Sequence, residues 1–73
     1  MYTFHDYEEA YYSGQYLECQ TIGLKLLAAL SDKNSKRLYK KLFKAPIDCV
    51  TDKEKKKLAD ILLEVRIWLG VNL

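Results

Sequence analysis

Apolar residues recur along this chain with a helical period, and nowhere do they alternate with the period of two that a half-buried strand requires. The pattern predicts four helical stretches. In the first, "TFHDYEEAYY", Phe4, Tyr7 and Tyr11 fall at i, i+3 and i+7 and line one face. Thr3 stands three residues before Asp6, so its hydroxyl and the carboxylate can each satisfy a free amide at the helix start. Ser13-Gly14 ends the stretch, because glycine accepts the left-handed conformation favoured just past a helix C-terminus.

The second stretch, "QYLECQTIGLKLLAALSD", is apolar around much of its circumference. Leu17, Thr21, Leu24 and Ala28 form one line, with Ile22, Leu26, Leu27 and Leu30 around it, as a central helix would have. Gly23 in its middle costs about 1 kcal/mol against alanine, and a close helix crossing is the simplest return for that cost.

In the third stretch, "KRLYKKLFKA", Asn34 or Ser35 is in place to cap the start. Its apolar side is narrow, Leu38, Tyr39, Leu42 and Phe43, and Lys36, Arg37, Lys40, Lys41 and Lys44 occupy the rest. Pro46 stops it, since the residue before proline avoids the helical region.

The fourth stretch opens with Thr51 and Glu54 as a capping box, with Asp52 adding favourable charge. Leu58, Ile61, Leu62, Val65, Trp68 and Leu69 make its apolar stripe, and Gly70 supplies an end. The expectation is an all-α protein: a compact single-domain bundle or orthogonal array of about four short helices, about 10 to 18 residues each, spanning residues 1–73.

The stretch "AYYSGQYLECQTIGLKLL", Ala10 to Leu27, resembles part of one tetratricopeptide repeat, in which paired helices meet at a glycine with an aromatic two residues on, here Gly14 and Tyr16. Cys19 stands where that family has alanine, and no second copy follows at its 34-residue period. The resemblance implies a helix hairpin and neither a partner nor an activity.

Composition adds that the chain folds: 49% of its 73 residues are hydrophobic and 30% charged, outside the disordered range. A chain of this size has a stability of order 4–11 kcal/mol, so a partner or a second copy can contribute to it. Cys19 and Cys49 form neither a disulfide framework nor a metal-ligand pair and read as reduced core residues. No run is long and apolar enough to span a membrane, and "MYTFHDYEEAYY" is unlike a signal peptide, so a cytoplasmic protein is expected.

Net charge of +2 conceals an asymmetry. Residues 1–32 carry one lysine against five carboxylates, a net of −4, and residues 33–73 carry eleven basic against five acidic side chains, +6. Such a dipole steers association with charged partners or lets two copies meet head to tail.

Catalytic constellations are not apparent. His5 beside Asp6 could serve as a general base only if a nucleophile converged on it, and nothing near Cys19 activates a thiol. The motifs of phosphate loops and zinc sites are missing, so no cofactor, metal or enzymatic activity is expected.

Binding remains. Tyr7, Glu8, Tyr11, Tyr12 and Tyr16 suggest an acidic, tyrosine-rich surface that contacts another protein, because a tyrosine ring offers rigid contact area and a hydrogen bond. Trp68, Leu69, Val71 and Leu73 offer a second apolar edge unless they fold onto the core. On this reading the chain is a small adaptor, inhibitor, chaperone or immunity-type regulator. The alternative is a small nucleic-acid-binding regulator that grips phosphates with Lys36, Arg37, Lys40, Lys41 and Lys44 and with Lys55 and Lys56 at the start of the next helix. A homo-oligomeric structural subunit is the third possibility.

Overall fold

Two capping boxes fix where the first and last helices start. A computed structural model describes all 73 residues as four α-helices without strands: α1 (Phe4–Tyr12), α2 (Tyr16–Ala28), α3 (Lys33–Phe43) and α4 (Asp52–Asn72). The Thr3 hydroxyl accepts from the Asp6 amide while Asp6 accepts from the Thr3 amide, and Thr51 and Glu54 do the same for α4. Gly14 takes φ +75°. Behind it the Gly14 amide donates to Tyr11 O and the Gln15 amide to Ala10 O, so two carbonyls at the end of α1 are satisfied and the chain reverses into α2.

Two boundaries differ from the sequence expectation. The cap of α3 is Asp32, which accepts from the Ser35 amide at 2.6 Å. Ser35 is instead fully buried, its hydroxyl within bonding distance of the Asp32 and Leu30 carbonyls. α4 passes through Gly70 to Asn72, 21 residues in all. Gly70 does not end the helix: a Cβ there would lie 3.3 Å from the Phe4 ring, so its bare backbone makes room for α1.

α2 and α4 each pack against the three other helices, whereas α1 and α3 do not pack on each other. The radius of gyration, 11.2 Å, is that of a compact chain of this length, about 11 Å. The core comprises Tyr7 and Ala10 of α1, Cys19, Ile22 and Leu27 of α2, Leu38 and Leu42 of α3, Ala45, and Leu58, Ile61, Leu62, Val65 and Leu69 of α4. α2 is central, but of the line Leu17, Thr21, Leu24, Ala28 only Leu24 packs against the core, the other three being exposed, and Cys19, Gln20 and Gly23 face in. Cys49 is only half buried.

Of the glycines, Gly23 marks the closest helix crossing. A Cβ there would lie 2.8 Å from Tyr7 Cε2 and 2.9 Å from Leu42 Cδ2, so α1 and α3 both press onto α2 at one bare position. Each helix adds a polar bond: Tyr7 Oη donates to Leu62 O at 2.7 Å, and Gln20 Nε2 donates to Leu42 O at 2.9 Å. The Cys19 thiol approaches Tyr7 O at 3.5 Å.

Candidate functional site

α1 turns its core side, Tyr7 with Ala10, into the protein and leaves two flanks, which carry different chemistry. The flank toward α4 holds the expected tyrosines. Tyr11 meets Tyr12 edge to face at 5.4 Å and Tyr16 at 5.9 Å. Arg66 reaches over from α4, donating to Glu8 at 2.8 Å and lying 5.1 Å from the centre of the Tyr12 ring. Glu8, Tyr11, Tyr12 and Tyr16 are thus brought together, but Arg66 neutralises the acid. Only Tyr12, 68% exposed, is largely free for contact.

Tyr7 is a correction. It is fully buried, with its hydroxyl spent on Leu62, so it belongs to the core and offers nothing to a partner. Burial, followed by the neighbouring Cys19, pushes its phenol far above the usual range. Burial also raises the Tyr11 phenol, with the adjacent Tyr16 and Tyr12 adding to the effect.

The other flank of α1 forms an open groove with α2, about 670 Å³ in volume. Asp6, Glu9 and Glu18 supply carboxylates to its lining, Ala10, Ile22 and Leu26 supply apolar surface, and Lys25 lies 5.1 Å from the Tyr2 ring at one side. Both cap bonds from Thr3 fall on Asp6 Oδ2, which leaves Oδ1 without one. The Thr3 amide and then its hydroxyl hold the Asp6 carboxyl below the usual carboxylate range. Asp6 therefore keeps its negative charge further into acid than an ordinary aspartate does.

Sequence reasoning passed over this groove because Glu18, Ile22 and Leu26 belong to another helix than Asp6 and Glu9. A signal existed: in a hairpin turned at Gly14, residues equidistant from the turn stand across from one another, and this sets Ala10 opposite Glu18 and Asp6 opposite Ile22.

The basic residues divide as well. Lys33, Lys36, Arg37 and Lys40 line a shallow recess of about 500 Å³ on α3 that contains no carboxylate. Arg37 is 3.3 Å from Glu64 of α4, and Lys41 bonds to the other oxygen of the same carboxylate. These contacts, the Lys41 hydrogen bond first, hold the Glu64 carboxyl below its usual range. Lys44 is the C-cap of α3. Lys55 and Lys56 do not share a side: Lys55 is nine residues from Glu64, half a turn away from the side of α4 that meets α3, and Lys56 is displaced by about 80°.

Phe43 departs from the expected apolar side of α3. It is 61% exposed, stacked on Tyr39 at 6.1 Å with the rings 12° from parallel. At the C-terminus Leu69 is fully buried and Trp68 half buried, so the exposed apolar residues there are Val71 and Leu73, continued along α4 by Ile67 and Leu63.

His5 is exposed and 3.6 Å from Glu9. Burial pushes the Cys19 thiol up to about 12, which keeps it protonated at neutral pH. No helix is long and apolar enough to cross a membrane. Compared with protein-family models, curated proteins and solved structures, the sequence and fold match none.

Proposed function

We propose that the chain is a non-catalytic protein-binding module whose α1–α2 groove receives a cationic, amphipathic segment of a partner protein. The observation that carries this reading is the pairing of three carboxylates, Asp6, Glu9 and Glu18, with an apolar lining in which Met1, Tyr2 and Leu26 give open surface over the nearly buried Ala10 and Ile22, beside one cation, Lys25. A helix laid in such a groove buries its apolar face on the lining, while lysines on its edges meet the carboxylates. The negative charge of the first 32 residues steers such a segment toward this end of the molecule. Tyr12, at the far flank of α1, extends the contact for a larger partner.

The test is a titration, by fluorescence anisotropy, of a labelled lysine–leucine amphipathic peptide and its glutamate–leucine counterpart. The protein binds the first and not the second. Glu9→Lys with Glu18→Lys, both at exposed positions, weakens binding by roughly tenfold or more while the far-UV circular dichroism stays unchanged. Undiminished affinity in the double variant would exclude the groove as the binding surface.

A further inference from the structure

The outer side of α3 carries more positive charge than its fold uses. Only Ser35, Leu38 and Leu42 of this helix are buried. Arg37 and Lys41 are engaged by Glu64, whereas Lys33, Lys36, Lys40 and Lys44 make no ion pair. Lys36 and Lys40, and again Lys40 and Lys44, are four residues apart on one helix, a spacing at which like charges repel. A polyanion laid along this side would relieve that repulsion.

Charge alone would fit any polyanion. Phe43 narrows the choice. It follows Lys36 by seven residues and Lys40 by three, so it shares their side of the helix. Tyr39 supports one face of its ring, and 61% of the residue is open to solvent. An aromatic ring exposed among unpaired ammonium groups is what unpaired nucleobases stack on, with lysines following the phosphates. Duplex DNA keeps its bases stacked inside and is read by arginine, asparagine or glutamine at the base edges. Here the one arginine of α3 is held by Glu64, and Asn34, its one side-chain amide, is nine residues from Phe43 and so on the opposite side of the helix.

We infer that the outer side of α3, through Lys33, Lys36, Lys40, Lys44 and Phe43, binds single-stranded nucleic acid without regard to sequence. This surface is separate from the α1–α2 groove and does not depend on it.

The experiment is fluorescence anisotropy with a labelled oligothymidylate and a labelled duplex. With four phosphates neutralised, the logarithmic salt slope on the single strand is roughly −3, so affinity falls roughly 50-fold between about 50 and 200 mM salt. Phe43→Ala weakens single-strand binding by roughly 5- to 150-fold and leaves any duplex binding unchanged. Lys36→Glu with Lys40→Glu abolishes both, and Glu9→Lys with Glu18→Lys, whose site is elsewhere, does not weaken either. Circular dichroism checks that each variant is folded. No binding at the lower salt, a preference for the duplex, or full single-strand affinity in Phe43→Ala would each overturn the inference.

Discussion

α1 and α3 are two short helices that never pack on each other, yet both are seated on α2 and α4 and both press on Gly23. Their seats are built differently. α1 is held by a rigid ring whose hydroxyl is pinned to Leu62 O and by the Glu8–Arg66 pair, and α3 by the flexible Leu42 side chain, a bond from Gln20 to the Leu42 carbonyl in its last turn and ion pairs to Glu64. Their free sides diverge in charge: α1 lends carboxylates to a groove, and α3 displays lysines. A helix with only three buried residues, as in α3, leaves most of its circumference open to specialisation. Within these 73 residues the fold thus carries two surfaces of opposite charge.

The largest test of the comparison is Leu42→Ala. Leu42 is fully buried, and truncating a buried leucine costs about 2–5 kcal/mol, much of the stability available to a chain this short. Urea denaturation should show a strongly lowered midpoint. A loss below about 1 kcal/mol would mean that α3 is held mainly by its polar bonds and ion pairs.

Gly23→Ala strikes both seats at once. The new methyl meets Tyr7 and Leu42 below 3 Å, an overpacking that costs about 1–3 kcal/mol, against about 1 kcal/mol gained in helix propensity. A net loss of about 1 kcal/mol follows, and the seats should share it unequally. The Leu42 end can rotate, whereas the Tyr7 ring is fixed at its hydroxyl. In a double-mutant cycle Gly23→Ala should therefore remain destabilising after Leu42→Ala has cleared one side, with a coupling of about 0.5 kcal/mol or more. A substitution that becomes stabilising in that background would show that α3, not α1, sets the close approach.

Where these seats lie was only partly legible in the sequence. Thr3, Gly14, Thr51 and Glu54 act within a few residues of themselves, and local chemistry placed them correctly. Gly23 was legible as a crossing because a mid-helix glycine needs a reason. The inward side of α2 was not, because a helix apolar all round gives no periodic signal, and Gln20 is buried only because Leu42 O lies across from it. Asp32, Asn34 and Ser35 are all capping types, and Ser35 was taken into the core instead. Periodicity puts Tyr7 on one face with Phe4 and Tyr11 but does not single it out for the core, because its acceptor, Leu62 O, lies 55 residues away. The groove and the single exposed phenylalanine are likewise products of tertiary packing. Charge counting pointed to two unlike ends, and periodicity to the polar side of α3, but neither showed which of its cations Glu64 engages.

The smallest predicted effect on stability separates the carboxylates that serve the two helices, one on α1 itself and one on α4 facing α3. Asp6 is held within α1 by its own cap, whereas Glu64 ties α4 to α3 through Lys41 and Arg37. The Glu64 carboxyl lies below its usual 4.5 in the folded protein, so its contribution is fully present above that pH and is lost as pH falls through the depressed value. Since the side chain is 38% exposed, Glu64→Gln should cost less than about 1 kcal/mol at neutral pH, and the difference from the parent should vanish in acid. The same change releases Arg37 and Lys41 to the cationic side of α3. Single-strand affinity should rise and its salt slope steepen by up to about 1.4, as for two further phosphate contacts, even as the fold weakens. A variant that loses stability without gaining affinity would show that the two released cations lie out of the strand's reach, and would confine the binding side to the four lysines and Phe43.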